Sequence, residues 1–331
     1  MWFGGKPTYI DGKLPFGNRY FMVLRSSRLF VVFLMLAVFA AAGCAGACGP
    51  FAAQKRQTVY KFPSRSFVQV KNVTIWEGCA FNADLEKKIC ETAQSKATSS
   101  GSFIRHSKID KTLSYVLTAG HSCRDTKAPT TQQGQFTVRH AGQIFSVVDY
   151  DGFEYEAEVL EIDSRFDLCL MGVRTVLMKP PVLRVAKLHP VRGEVVFNMA
   201  APHGIIAPRM VLTFSGFFTG YSQEGFSVFS IPTRPGSSGS PIINASNELV
   251  SSTFAGYHFM ENVAVASPLR AVKTFLRKSV ANAEMNNWIE KNKLLGKVDI
   301  LPSKMLEKIG KELDEYFHVH AVENQEATAT F

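Results

Sequence analysis

The sequence lacks the patterns that mark two common classes of protein. It contains no CxxC pair and no HxxxH pair, so we expect no zinc and no other metal. Its 37 basic and 28 acidic residues give a formal charge of +9 without a long block of one sign. A diffuse basic excess of this kind is typical of an ordinary surface, so we expect no nucleic-acid partner.

Length and composition favour a folded protein of one or two domains. The chain has 331 residues, of which 46% are hydrophobic, and this is enough to bury a core. The sequence shows no internal repeat, so a repeat architecture is not expected.

A long uncharged stretch lies near the N-terminus. Residues 29–50, "LFVVFLMLAVFAAAGCAGACGP", carry no charge, and basic residues precede them. A run of about 20 such residues can cross a bilayer, and basic residues keep their side in the cytoplasm. We therefore expect residues 1–28 to be a basic N-terminal segment, residues 29–48 to be a signal or anchor segment, and the remainder to be exported.

Three interpretations of this segment remain open: a lipoprotein signal, an uncleaved signal anchor and a cleaved secretory signal. Residues 41–44, "AAGC", are similar to a bacterial lipoprotein box, in which Cys44 becomes lipidated. Met22 is a plausible true start, because the sequence from there has the proportions of an ordinary signal. The first two interpretations place the protein at the membrane, in the periplasm or cell envelope.

The cysteines of an exported chain are expected to form disulfides. Four follow the N-terminal segment: Cys79, Cys90, Cys123 and Cys169. Four thiols allow three pairings. The favoured pair is Cys79 with Cys90, which lie close together in "CAFNADLEKKIC".

Short apolar runs dominate the middle of the chain. After a polar linker at residues 49–66, twelve runs rich in β-branched and aromatic residues are separated by Gly, Pro, Asn and Asp, which predicts an all-β sandwich or barrel. Helix is predicted after Ser267 and Pro268, a cap and a first-turn proline, and again from Ser303. Residues 281–331 are expected to form a helical C-terminal tail.

Three residues could together hydrolyse an amide, which requires a nucleophile, a base and a group that orients the base. His121 follows an apolar strand and a Gly turn in "SYVLTAGHSC", and Asp167 opens an apolar strand in "SRFDLCLMGV". Ser238 lies in "TRPGSSGSPI", where Pro235 and Pro241 stiffen the loop. Each residue taken alone has a common structural explanation, so the combination carries the argument.

The order and spacing of these residues narrow the fold. His121, Asp167 and Ser238 are separated by 46 and 71 residues and follow the order used by chymotrypsin-type double β-barrels. An α/β-hydrolase would run Ser, acid, His and contain GxSxG. Gly236 can adopt backbone angles closed to other residues and place its N–H beside that of Ser238. These two donors would form an oxyanion hole.

The segments around these residues resemble the trypsin-like serine peptidases, and within them the bacterial HtrA/DegP-like branch and some viral relatives. In this chain, "VLTAGHSC" is similar to the family's histidine motif, and "EYEAEVLEIDSRFDLCLMGV" is similar to its aspartate segment. The segment "GSSGSPIINASNELVSSTFAG" is similar to the family's nucleophile loop and the strand that follows it. The closing strand and helix resemble "VAVASPLRAVKTFL". The resemblance covers about residues 67–280, which we take as the peptidase domain.

The resemblance implies two antiparallel six-stranded β-barrels with the three residues in the cleft between them, and no cofactor. It makes His121 the general base, Asp167 its orienter and Ser238 the nucleophile. The chain departs from the family where Ser240 replaces a customary Gly. It also has only 51 residues after residue 280, too few for the PDZ domain of HtrA proteins, so we do not expect their regulated chaperone behaviour.

The resemblance places the primary specificity pocket beside the nucleophile loop and a later strand. Its lining would come from Pro232, Thr233, Thr253, Phe254 and Gly256. None of these residues is acidic, so cleavage after Lys or Arg is not expected, because a buried cation would lack a partner.

The sequence as a whole predicts a serine endopeptidase that cleaves protein or peptide substrates through an acyl-enzyme intermediate. The alternative is a membrane-tethered pseudo-peptidase that binds a peptide without cutting it. A third interpretation is a structural lipoprotein, in which the three residues would be a coincidence.

Overall fold

The computed structural model describes residues 60–82, 87–124, 131–133, 136–176, 179–257, 259–294 and 303–318. The basic N-terminal segment with Met22, the uncharged segment with Cys44 and most of the linker lie outside these ranges, so their interpretations stay predictions. Of the helices in the described ranges, none combines the length and the apolar composition that crossing a bilayer requires.

The first barrel closes with six antiparallel strands, and a seventh strand lies at its side. The strands are β1 (Phe67–Asn82), β2 (Lys87–His106), β3 (Leu113–Ala119), β4 (Thr131–Gln133), β5 (Phe136–Asp149), β6 (Glu154–Asp163) and β7 (Leu168–Arg174). The ring runs β1-β2-β3-β7-β6-β5 and closes because β5 also pairs with β1. β4 pairs with β5 outside the ring. Inside the barrel, Val70, Phe103, Val116 and Met171 form a dry core.

The second barrel also has six antiparallel strands. They are β8 (Val195–Ala200), β9 (Leu212–Tyr221), β10 (Ser227–Phe229), β11 (Pro241–Ile243), β12 (Leu249–Tyr257) and β13 (Met260–Ser267). The ring order is β10-β13-β12-β11-β8-β9. The predicted fold class of two six-stranded antiparallel barrels is therefore confirmed.

Three helices complete the described fold: α1 (Gly120–Cys123), α2 (Leu269–Leu294) and α3 (Ser303–Tyr316). α2 begins directly after Pro268, so a helix is present where it was predicted, but Ser267 is not its cap, because the Ser267 hydroxyl donates to Phe166 O at 2.7 Å. It buries Leu269, Val272 and Leu276 against the core, which confirms the apolar face read from the sequence. The helix continues through residue 280, where we placed the end of the peptidase domain.

α3 packs against the same core as α2. Leu313 and, just beyond the helix, Phe317 are buried in the cluster that includes the second barrel. Lys273 of α2 is almost fully buried, and its ammonium donates to the backbone oxygens of Lys187 at 2.9 Å and His318 at 3.0 Å. Burial lowers the pKa of Lys273 to about 8.

Two strand predictions are corrected. β2 was not predicted, because its first twelve residues are exposed and polar and show no apolar alternation. They form a ribbon with β1, in which Cys79 pairs with Cys90, and the predicted disulfide between these residues is present. Two of the twelve apolar runs, "QFTVRH" and "QIFSVVDY", were predicted as separate strands, but Phe136–Asp149 forms the single strand β5.

Candidate active site

His121 lies in α1, immediately after the buried strand β3. Gly120 lets the turn approach the segment that carries Asp167, since its N–H donates to the Asp167 carbonyl at 2.8 Å. A Cβ at Gly120 would lie 3.0 Å from the Asp167 carbonyl carbon, tighter than side chains ordinarily pack. The glycine of the motif "TAGH" therefore brings the histidine against the aspartate.

Asp167 holds His121 through both oxygens of its carboxylate. Oδ1 accepts the His121 backbone N–H at 2.8 Å, and Oδ2 lies 2.5 Å from Nδ1 of the His121 ring. The Arg124 guanidinium lies 3.7 Å from Oδ1 and adds positive charge at the same carboxylate. With Nδ1 occupied by Asp167, the free ring nitrogen Nε2 is the one available to a substrate or nucleophile.

The backbone of Asp167 is in the left-handed region, with φ of 53°. A non-glycine residue pays conformational energy for this geometry and is found there mostly where the surrounding structure enforces it. Here the enforcing contacts are the two bonds to His121 and the bond from Gly120. The strained residue thus coincides with the predicted orienter.

The loop that carries Ser238 is fixed through its carbonyl groups. Ser100 holds two of these carbonyls: its hydroxyl donates to Gly236 O at 2.8 Å and its N–H donates to Ser238 O at 2.7 Å. The other two carbonyls also accept backbone N–H groups. His203 donates to Pro235 O at 2.6 Å, and Ser240 donates to Ser237 O at 3.0 Å. Four consecutive carbonyls are therefore bonded, and the loop is stiff, as its prolines predict.

Two N–H groups of this loop are left without an acceptor. The N–H of Ser237 donates to Arg234 O at 2.9 Å, and the N–H of Gly239 donates to Thr253 O at 2.6 Å. Within the described part of the chain, the N–H groups of Gly236 and Ser238 donate to nothing. These are the two donors that we predicted for the oxyanion hole, and such donors are rarely left unpaired.

Glycine is required at Gly236 and Gly239. Gly236 has φ of +95°, and a Cβ there would lie 2.5 Å from Ala201 O. Gly239 has φ of +80°, and a Cβ there would lie 2.2 Å from Ser100 O and 2.7 Å from the N of Ala119. The nucleophile loop therefore packs directly against the end of β3, two residues before His121.

The structure brings His121 and Asp167 into contact but does not bond Ser238 to either of them. Among the described residues, no hydrogen bond joins the Ser238 hydroxyl to the His121 ring. Ser238 is half-buried, and 44% of the His121 side chain is exposed, so both face accessible space. Catalytic hydrogen bonds are often long before substrate binds, so this geometry alone does not eliminate Ser238.

The predicted specificity residues lie on two adjoining segments. Pro232 and Thr233 are half-buried beside the loop, Thr253 is buried on β12, and Gly256 is exposed further along that strand. Thr233 closes against Gly256, because a Cβ at Gly256 would lie 2.2 Å from Thr233 Oγ1. The space between the two segments is therefore narrow.

Phe254 connects the same strand to the turn that carries Asp167. Its ring packs edge-on against Phe226 with centroids 5.0 Å apart, and Phe226 packs against Phe166 at 6.2 Å. Phe166 directly precedes Asp167. These aromatic contacts therefore lie directly beside the strained backbone of Asp167.

Sequence reasoning missed a second disulfide, Cys123 with Cys169. Both cysteines are buried, and each lies two residues after one of the paired residues His121 and Asp167. That equal offset was a signal in the sequence, since two segments held side by side place equivalent positions close together. Sequence reasoning also missed Ser100, which has no motif around it.

Comparison with known proteins agrees with the fold. Residues 99–251 match the family described as Trypsin-like peptidase domain, and this segment includes His121, Asp167 and Ser238. Together with the two barrels, the match supports a trypsin-like peptidase domain in this part of the chain.

Among solved structures, a serine endoprotease from Yersinia pestis is similar, with 16% identity and a TM-score of 0.47. The similarity covers 66% of this chain and 64% of that chain, so this chain spans less than two thirds of that structure. No curated protein matches the chain in sequence.

Proposed function

We propose that this protein is a serine endopeptidase in which His121, Asp167 and Ser238 form the catalytic triad. The observation that carries the proposal is the pair of unbonded N–H groups at Gly236 and Ser238, in a loop whose four consecutive carbonyls from Pro235 to Ser238 are bonded. Backbone donors are seldom left unpaired in a folded protein, and a site that binds an acceptor accounts for the two. A tetrahedral oxyanion is the acceptor that this arrangement fits.

In the proposed reaction, Ser238 Oγ attacks the carbonyl carbon of the scissile peptide while His121 Nε2 takes the hydroxyl proton. Asp167 stabilises the resulting imidazolium, and the carbonyl oxygen receives the negative charge between the two N–H groups. The C–N bond then breaks, and His121 returns the proton to the leaving amine. Water, with His121 again as base, hydrolyses the acyl-enzyme.

The proposed substrate is a peptide segment whose side chain before the cleaved bond is uncharged and small. Thr233 lies against Gly256, which leaves little room for a large side chain. Residues 232–236 and 252–257 contain no carboxylate that could pair with Lys or Arg. Protein substrates would therefore be cut after small residues.

The second candidate function is peptide binding without cleavage. The observation that favours it is the lack of a hydrogen bond between the Ser238 hydroxyl and His121. If that geometry persisted with substrate bound, Ser238 would not be activated, and the cleft would hold a peptide intact.

Labelling of the full chain by a fluorophosphonate separates the two candidates. The probe bonds its phosphorus to an activated serine Oγ, fluoride leaves and the base takes the proton, so no knowledge of the substrate is required. We expect labelling of the natural protein and its loss in Ser238→Ala and His121→Ala. Ser246→Ala, an exposed serine in a turn, is the control and should label normally. A folded natural protein that does not label would favour the binding protein.

We further propose that the N-terminal segment holds the enzyme at a membrane of the cell envelope. Replacing Cys44 by Ser, with Cys48→Ser as the matched control, tests how the segment is attached. Loss of membrane association in Cys44→Ser alone would indicate lipidation. Retention in both variants would indicate a signal anchor, and a soluble natural protein would indicate cleavage.

A further inference from the structure

Ser100 lies where β2 passes from the exposed ribbon into the barrel. Residues 87–98 of the strand are exposed, whereas Ser100 is fully buried at 0% exposure. A buried hydroxyl is expected to have a partner, and the identity of its partners shows what it does.

Ser100 uses every polar atom that it has. Its N–H donates to Ser238 O at 2.7 Å, its hydroxyl donates to Gly236 O at 2.8 Å, its Oγ accepts the Ala201 N–H at 3.0 Å, and its carbonyl accepts the Thr118 hydroxyl at 2.7 Å. Two of these four bonds reach carbonyls of the nucleophile loop. A third reaches Ala201, directly before the turn at residues 202–204, and backbone atoms of Ala201 and of this turn lie against Gly236.

The two carbonyls held by Ser100 flank the unbonded N–H of Ser238. The N–H of Ser238 belongs to the peptide between Ser237 and Ser238. Gly236 O belongs to the peptide before this one, and Ser238 O belongs to the peptide after it. The Gly236 N–H belongs to the peptide between Pro235 and Gly236, whose carbonyl is held by His203. Because every peptide here is planar and trans, a fixed carbonyl also fixes the direction of the N–H on the same plane.

Gly236 is the point at which this arrangement could fail. Glycine has access to both signs of φ, so the peptide before it can rotate at low cost unless bonds prevent the rotation. The Ser100 hydroxyl supplies the bond on the C-terminal side of Gly236, and His203 supplies the bond on the N-terminal side. Without the hydroxyl, Gly236 O and the Ala201 N–H would both be left unpaired in the interior.

We propose that Ser100 is a positioning residue of the oxyanion hole, whose hydroxyl links Ala201 to Gly236 O and so fixes the peptide that lies between the N–H donors of Gly236 and Ser238. The inference rests on the proposed function and deepens it. A hydroxyl suits the task because it donates and accepts through one atom, which no alkyl side chain can do.

The test is the rate of fluorophosphonate labelling of the full chain, separated into the maximal rate kinact and the half-saturating concentration KI. In Ser100→Ala we expect kinact to fall by about 10-fold to 100-fold, less than the loss of a direct donor, while KI changes by less than about three-fold. The dependence of labelling on pH should be unchanged, because His121 and Asp167 keep their contacts. Ser100→Thr retains the hydroxyl and should label faster than Ser100→Ala.

The matched control is Ser102→Ala. Ser102 is buried on the same strand and, in the described part of the chain, its side chain makes no hydrogen bond to the nucleophile loop. Its kinact should stay within about two-fold of the natural protein. If Ser100→Ala does not fold, Ser100→Cys weakens the same hydrogen bonds with a side chain of similar shape and gives the same reading.

The two levels of the proposal fail in different ways. A labelled natural protein together with an unchanged kinact in folded Ser100→Ala would overturn the role of Ser100 alone. An increase in KI without a decrease in kinact would also overturn it, since the residue would then act in probe binding. A folded natural protein that is never labelled would overturn the proposed peptidase activity and this role with it.

Discussion

Asp167 holds the ring and the backbone of His121 with one carboxylate, so the two residues act as a unit. The side chain of Asp167 is 13% exposed, whereas that of His121 is 44% exposed. The orienting group is therefore sheltered and the base is accessible, which is the distribution that proton transfer to and from a substrate requires.

Replacing Asp167 by Asn should lower the rate of labelling and of any peptide cleavage by about 10³-fold to 10⁴-fold. The amide would present an N–H₂ group to the ring, and the histidine would turn the wrong tautomer toward Ser238. The rates of natural protein and variant, measured at several pH values, check this.

Asp163→Asn is the control for this change. Asp163 accepts the N–H groups of Arg165 and Phe166 in the preceding turn but has no bond to His121. If both variants lost activity to the same degree, the effect of Asp167→Asn would come from the turn and not from the charge.

Only part of the candidate site could be predicted from the sequence. His121, Asp167, Gly236 and Ser238 stand in local patterns of strand, turn and glycine, and those patterns were enough to select them. Ser100 lies between Ser99 and Gly101, and Ser102 follows. Nothing in the sequence distinguishes the role of Ser100 from the roles of these two neighbouring serines. Only its contact with Gly236, 136 residues away, reveals it.

At the scale of elements, two disulfides serve different parts of the first barrel. Cys123–Cys169 joins α1 to β7, and Cys79–Cys90 joins the exposed ends of β1 and β2. The first pair lies beside His121 and Asp167, whereas the second closes a ribbon that is already paired along its length.

Removing Cys123–Cys169 with two Cys→Ala changes should lower the free energy of unfolding by about 2–5 kcal/mol and slow fluorophosphonate labelling. The segments that carry the base His121 and its orienter Asp167 would then no longer be joined by a covalent bond. Denaturant unfolding and labelling rates give the two readouts.

The Cys79→Ala, Cys90→Ala variant is the matched control. It closes a shorter loop, so its loss of stability should be smaller, and its labelling should match that of the natural protein. Equal labelling losses in the two variants would contradict a specific role for Cys123–Cys169.

Lys273 makes the junction of α2 with the end of α3 sensitive to pH. The pKa of Lys273 is about 8 in the folded protein, below its usual value of 10.5. Between these values the unfolded chain binds more protons than the folded one, so stability rises with pH. Below pH 8 both states are protonated and the full cost of burying the ammonium is present.

The free energy of unfolding should therefore rise from pH 7.5 to pH 9.5 by about 2 kcal/mol more in the natural protein than in Lys273→Met. Urea denaturation at closely spaced pH values measures the difference. Lys278→Met, at an exposed position on α2, is the control and should follow the natural protein. Parallel curves for Lys273→Met and the natural protein would show that Lys273 does not titrate in this range.

The strands show which elements a sequence reveals. β3 and β7 are buried almost throughout, and both were predicted from continuous apolar runs. The first half of β2 has solvent on both faces. Neither face therefore requires apolar residues, and the sequence shows no alternating apolar pattern there. Its existence follows from pairing with β1, which is a long-range property.

At the scale of the whole molecule, α3 is part of the packed body. Phe317 is fully buried, and the Tyr316 hydroxyl donates to Ile104 O of β2 at 3.1 Å. Arg105 of β2 forms an ion pair with Glu312 at 2.6 Å and lies over the Tyr316 ring. The C-terminal segment thus reaches the strand that also carries Ser100.

Phe317→Ala should lower the free energy of unfolding by about 3–5 kcal/mol, because it leaves a cavity in the shared core. Chemical denaturation of the full chain measures the loss in a single transition. Lys311→Ala, on the exposed side of α3, should cost little. A loss below about 1 kcal/mol for Phe317→Ala would mean that α3 unfolds separately from the barrels.

The two unpaired N–H groups of the nucleophile loop also affect the stability of the molecule. Folding gives them no acceptor among the described residues, so the uncomplexed protein is less stable than one in which they were bonded. An anion that enters between them binds the folded state alone and raises the melting temperature, and a tighter-binding anion raises it further. The loop thus couples resistance to unfolding with recognition of developing negative charge, and a good mimic of the tetrahedral intermediate should act as a thermal stabiliser.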